Sequence, residues 1–156
     1  MFVAISYSKL NKIRKEKYQA TKKLGYKMAS YISSQANVNE TSEIGDNCFI
    51  FEDNTIQPYV VIGNNVTLWS GNHIGHHSTI RDHCFVSSHV VISGHVEIGE
   101  SCFLGVNATL RDNITVGDRT VLGAGTLLLS DAEPDGLYIG KESERAGIKS
   151  NKLKKI

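Results

Sequence analysis

Long apolar runs are missing from this sequence. No stretch approaches the roughly 20 residues that a membrane-crossing helix needs, and no basic segment followed by an apolar one marks a secretory leader. Membrane insertion is therefore not expected, and the cytoplasm is the expected compartment. Cysteine is scarce: Cys48, Cys84 and Cys102 are the three present, an odd number that argues against a disulfide framework. Lysine is absent between residues 32 and 131, where three arginines accompany eleven acids, whereas residues 1–31 hold eight basic side chains against Glu16 alone. The net charge of +1 thus hides a basic entrance, an acidic middle and a mildly basic exit. The basic ends lack interleaved aromatics or a groove-reading motif, so nucleic acid is not an expected partner.

What is present is a repeat. Every sixth residue from Ile32 to Leu128 is aliphatic, as in Ile44, Ile50, Ile56, Ile62, Leu68, Ile74 and Ile80. The position two before each is small or short, and it takes in all three cysteines; they read as small hydrophobes packed inside. The residue after the aliphatic one is often Gly, as at 45, 63, 75, 99, 105, 117 and 123, followed by Asp, Asn or Glu in several repeats. These glycines are expected to supply the positive φ of a tight corner. Phe51, Trp69 and Leu129 take that outward position instead, which suggests covered surfaces.

A period of six matches neither the 3.6 of a helix nor the alternation of an isolated strand. It matches a short strand and a corner repeated, three such units closing a triangular coil of about 18 residues that stacks on the next. The pattern resembles the left-handed parallel β-helix of hexapeptide-repeat proteins. The expected fold class is all-β, with about five coils preceded by a short N-terminal strand and helix. The expected divisions are residues 1–31 (strand and helix), 32–140 (β-helix) and 141–156 (a basic tail). Within the first, Met1 to Ser6 reads as the strand, and Ser8 as the N-cap of a helix reaching about Leu24, with Ile13, Ala20 and Leu24 near one face.

That opening carries a narrower resemblance. Phe2-Val3-Ala4-Ile5, a basic helix, the stop Leu24-Gly25-Tyr26 and Ala29-Ser30-Tyr31-Ile32 are similar to the junction in the family of sialic acid O-acetyltransferases and bacillosamine-pathway sugar N-acetyltransferases. There a small α/β domain precedes the β-helix, and only its end is expected here. The resemblance implies an acetyl-CoA-dependent acetyltransferase, a nucleotide-linked amino sugar as acceptor in surface-glycan synthesis, and a homotrimer with active sites between subunits.

All six histidines lie between 73 and 95, none at an inward aliphatic position, so they are expected to project outward or sit near corners. Ile74-Gly75-His76-His77-Ser78-Thr79-Ile80 resembles the block holding the family's catalytic histidine, which makes His76 the expected general base, with His73 or His89 as alternatives. Imidazole titrates in the range this chemistry needs. The family's acidic residue after the histidine is replaced by His77. Either a carboxylate from elsewhere, such as Asp82, takes its place, or the base is weaker. Asn72, His73 and His77 are the expected substrate contacts. Phe85, Gly94, Val106, Gly123, Ala124, Gly125 and Lys141 are the cofactor contacts that the resemblance implies, and the lysines from Lys149 onward are candidates for its phosphates.

Other readings remain. Sugar O-acetylation is the nearest alternative, and a trimeric scaffold the non-enzymatic one. The same coil serves γ-class carbonic anhydrases, and His77 and His95, eighteen apart, should stack and could suit two zinc ligands. No histidine pair has the five-residue spacing those enzymes resemble, so no metal is expected.

Overall fold

The computed structural model describes residues 1–152; the last two lysines of the basic tail, at 154 and 155, lie outside the described residues. The chain winds as a parallel β-solenoid of about six turns carrying one N-terminal helix. Each strand is two residues long, and strands stack into three sheets of seven, six and five strands that form the faces of a triangular prism. The first face holds Tyr31–Ile32, Phe49–Ile50, Thr67–Leu68, Phe85–Val86, Phe103–Leu104, Val121–Leu122 and Leu137–Tyr138. The second runs from Asn37–Val38 to Leu127–Leu128, and the third from Glu43–Ile44 to Thr115–Val116.

The register is set by the repeat: Phe85 pairs with Thr67 on one side and Phe103 on the other, and His73 with Thr55 and Val91. Pairing at eighteen residues aligns every aliphatic position with the same position in the next coil. The result is an internal column in which Ile50, Leu68, Val86, Leu104 and Leu122 are fully buried. The small second column packs beside it, with Cys48, Cys84 and Cys102 all inaccessible and free. Burial pushes the Cys48 thiol up to about 11 and Cys84 also upward, so neither is a nucleophile at neutral pH. The first coil is the open end: Ile32 remains 43% exposed.

The corners depart from the expectation drawn from glycine. Positive φ falls three residues after the aliphatic position, at Asn47, Asn65 and His83, at Asp53 and His89, and at Tyr59, His77, His95 and Asn113. Short polar residues and histidine tolerate this region better than most. The glycines directly after the aliphatic residues serve close approach instead. A Cβ on Gly75 would lie 2.6 Å from Ser93 O and Gly94 N, and one on Gly105 2.6 Å from the amide of Ala124. They are required because the coils stack too closely for a side chain there.

Residues 1–7 form no strand, in contrast to the expectation; they lie over the first face, where Val3 N–H donates to Asn47 Oδ1 at 2.7 Å. Helix α1, Lys12–Lys23, begins later than Ser8, with Asn11 at its N-cap. Its contact face is also not the apolar one, since Leu24 is 76% exposed while Asn11, Arg14 and Tyr18 are buried. The reason is the surface beneath, a solenoid corner whose carbonyls need donors. Asn11 Nδ2 reaches Cys102 O, and Arg14 reaches the carbonyls of His83 and Cys84 and the Thr67 hydroxyl. No helix among the described residues is long and apolar enough to cross a membrane.

Candidate functional site

The corner between the second and third faces brings three imidazoles together. His77 and His95 occupy the same left-handed corner position in consecutive coils, with φ of 58° and 57°. Their amides are fixed by the coil before, His77 N–H to Pro58 O and His95 N–H to His76 O. The rings therefore stack, 4.8 Å apart and 12° from parallel, and the Tyr59 ring packs at 4.8 Å on His77, tilted by 36°. His76 stands edge-on to both, at centroid distances of 5.3 and 5.1 Å. Its Nδ1 lies 3.1 Å from His77 Nδ1, a contact in which one nitrogen carries the proton and the other accepts it. All three rings are exposed.

Two neighbours hold His76 in place. Its backbone N–H donates to Gln57 Oε1 at 2.9 Å, a contact that no sequence motif signals. Its ring lies over Gly94, where a Cβ would come within 2.8 Å of Cε1 and Nε2. Gly94 thus leaves the space that the imidazole fills.

The expected substrate contacts divide. His73 lies on a strand of the second face, half-buried, and His77 sits against His76. Asn72, at 1% exposure, is out of any ligand's reach. Its amide donates to Asn54 Oδ1 and Trp69 O, and its carbonyl oxygen accepts from Val90 N–H. It occupies the inward small position and is consumed by an internal ladder. Asp82 is equally committed elsewhere: its carboxylate accepts from Asn64 at another corner. Among the described residues no carboxylate hydrogen-bonds His76. His89, the other alternative base, packs against Gly71 at a third corner.

The expected cofactor contacts divide as well. Gly94 borders His76, whereas Val106, Ala124 and Gly125 are exposed at the corner between the first and second faces. Gly125 and Lys141 line a groove of about 580 Å³ with Leu127 and Ile139, and Gly123 lies beneath Tyr138 O. The Phe85 side chain is buried, where a cofactor contact was expected. It is 3% exposed, stacked on Phe103 and covered by the Tyr7 ring and the Arg14 guanidinium. Its ring is covered by residues of the N-terminal segment and of α1 and is closed to a ligand.

A further cleft, of about 260 Å³, lies between that segment and the first face, lined by Phe2, Phe49, Phe51 and Trp69. Phe51 and Trp69 stack at 4.7 Å, and Trp69 is 42% exposed. Their outward placement was legible in the repeat; the cleft was not, because it depends on where residues 2–6 lie.

Comparison with known proteins places this geometry. The family described as the GMPPB C-terminal domain matches residues 26–133. No curated protein sequence matches the chain. Among solved structures, a point mutant of perosamine N-acetyltransferase from Caulobacter crescentus, in complex with CoA and GDP-perosamine, is similar at 25% identity with a TM-score of 0.85, covering 89% of this chain and 65% of that one. The acetyltransferase domain of PglB from Neisseria gonorrhoeae is similar at 27% identity with a TM-score of 0.80, covering 83% and 63%. WeeI from Acinetobacter baumannii shares the fold at 15% identity, with a TM-score of 0.79 and coverage of 83% and 64%. This chain therefore spans somewhat under two thirds of the length of each. With most of its length matched, the chain belongs to the GMPPB C-terminal domain family, and it is a hexapeptide-repeat β-helix like that of the perosamine and PglB acetyltransferases.

Proposed function

We propose that the chain is an acetyl-CoA-dependent acetyltransferase that acylates the amino group of a nucleotide-linked sugar for surface-glycan synthesis, with His76 as general base. The observation that carries this reading is the His76 ring itself: exposed, seated over a glycine, and held at the corner of a coil similar in fold and sequence to a protein solved with CoA and GDP-perosamine. The attacking amine gives its proton to His76 as nitrogen bonds to the thioester carbonyl carbon. The tetrahedral intermediate then collapses, the carbon–sulfur bond breaks, and the imidazolium returns a proton to the departing thiolate.

His77 takes over part of the task of the missing carboxylate. When His76 Nδ1 donates its proton to His77 Nδ1, the lone pair of His76 stands on Nε2, the atom that would accept the substrate proton. An imidazole acceptor fixes the tautomer without a negative charge, so the imidazolium formed in the transition state gains less stabilisation than a carboxylate would give.

The cofactor residues Gly94, Val106, Gly123, Ala124, Gly125 and Lys141 belong to this proposal through a homotrimer. Gly94 and the Val106–Lys141 group flank opposite edges of the second face, and a neighbouring subunit packed along that face would turn an open edge into a cleft. Exposed Val91, Val106 and Leu127 support such packing. Residues 1–31 act as the end of an acceptor-binding unit, 32–140 as the acyltransferase and 141–156 as a basic tail.

The test is release of free thiol from acetyl-CoA against a panel of nucleotide-linked amino sugars and their hydroxyl counterparts. His76→Ala is expected to lower kcat about 10²- to 10⁴-fold, the usual worth of a general base. Full activity in that variant would remove His76 from the role, and turnover with only the hydroxyl sugars would reassign the acceptor.

A further inference from the structure

We propose that His76, His77 and His95 form a binding site for a borderline divalent cation of the zinc class, held within a single chain. The sequence offers His77 and His95 as two stacked ligands, but no histidine pair carries the five-residue spacing of the carbonic anhydrases. The fold supplies a different arrangement: two adjacent residues on one coil and a third on the next, above them.

Three observations carry the site. First, one potential ligand atom from each ring lies within 4.8 Å of those of the other two. The His76 and His77 Nδ1 atoms are already 3.1 Å apart, close to the about 3.3 Å that separates two nitrogens on a tetrahedral zinc bonded at about 2.0 Å. Second, two rings are carried on backbone that cannot swing away. His77 and His95 sit at left-handed corners whose amides are hydrogen-bonded to the preceding coil, so the adjustment left is rotation of exposed side chains. Third, the donor set is chemically uniform. Three imidazoles, with no carboxylate among the described residues bonded to them, select zinc, cobalt, nickel or copper over magnesium or calcium.

Three protein nitrogens leave a fourth position on a tetrahedral ion for water. A metal held there also occupies a lone pair of the proposed base, so the ion and proton transfer compete for His76. The metal site itself stands without the acetyltransferase reading, and its test requires no turnover.

The experiment uses the full chain without a histidine tag. Zn²⁺ is titrated against a chromophoric chelator, and the melting temperature is read in parallel. One Zn²⁺ per chain is expected, with a rise in melting temperature that follows its concentration. His95→Asn should weaken binding by about tenfold or more and abolish that rise. Asn is compatible with this corner, since Asn113 occupies the next position in the same column. His89→Asn, at a corner away from the cluster, should bind as the wild type does. Co²⁺ added to the wild type should give the visible absorption of a tetrahedral nitrogen site, and this reading decides the matter should a variant fail to fold. Equal zinc affinity in the wild type and His95→Asn, or cobalt giving only the spectrum of the hydrated ion, overturns the site.

Discussion

Two corners of the same solenoid put histidine to opposite uses. His83 and His95 share a backbone conformation, with φ of 65° and 57°, and each stands within the turn, three residues after an inward aliphatic residue. At the His83 corner α1 lies across the coils: the ring is 4% exposed, bonded to Asn65 and packed edge-on against Tyr18. At the His95 corner none of the described residues lies across, and the ring stands in solvent beside two others. The repeat decides where a histidine can stand. What lies over the corner decides whether the ring is packed away or left open to solvent.

The sharpest way to break this contrast is to remove the cover's anchor. Arg14 is 2% exposed and gives three hydrogen bonds, two to carbonyls of the corner and one to Thr67. Burial draws its guanidinium down to about 10, which still leaves it charged at neutral pH. Arg14→Ala is expected to cost about 3 kcal/mol, because hydrogen bonds from a buried cation are lost together and the His83 carbonyl loses its donor. His76→Ala, at the open corner, should change stability by less than about 0.5 kcal/mol. Urea unfolding of the two variants measures both, and equal losses would mean that the corners are not energetically distinct.

A second comparison sets one glycine against another. A methyl group on Gly75 meets backbone atoms of the next coil, whereas one on Gly94 meets the far atoms of the exposed His76 ring. Backbone cannot yield without opening the stack, so Gly75→Ala is expected to destabilise by about 2 kcal/mol. Gly94→Ala should cost less than about 1 kcal/mol, since a surface ring can turn away. On the proposed mechanism that turn carries the base out of position, and kcat should fall roughly tenfold or more with little change in melting temperature.

Most of the fold was legible because the inward column repeats the same demand in every coil. Ile74 and Ile92 could be assigned to adjacent coils from spacing alone, and the structure pairs them. The glycine corners were misread for a local reason: sequence shows that a side chain is absent at Gly75, not whether φ or a neighbouring backbone forbids it. The site was half legible. Stacking of His77 on His95 follows from eighteen-residue spacing, but the edge-on approach of His76 and the Gln57 contact depend on rotamers that no periodicity encodes. Asn72 and Phe85 were lost to burial, one inside the coil and the other under residues that lie far away in sequence.

The smallest expected effect tests the covered corner by pH. Burial lowers the pKa of His83 below its ordinary value, and the nearby positive charges of Lys15 and Arg14 act in the same direction against Asp82 and Glu100. A folded pKa below the unfolded one means that the unfolded chain binds more protons, so stability rises with pH. The contribution is fully favourable above the unfolded value, about 6.5, and is lost as pH falls from there through the lower folded value. His83→Asn keeps a residue suited to the left-handed corner, as Asn47 and Asn65 show in the same column, and it removes the titrating ring. The melting temperature of the wild type should therefore fall more steeply than that of the variant between about pH 7 and 5. Parallel curves would place the ring in water, and α1 could not then be the lid that separates this corner from the one holding His76.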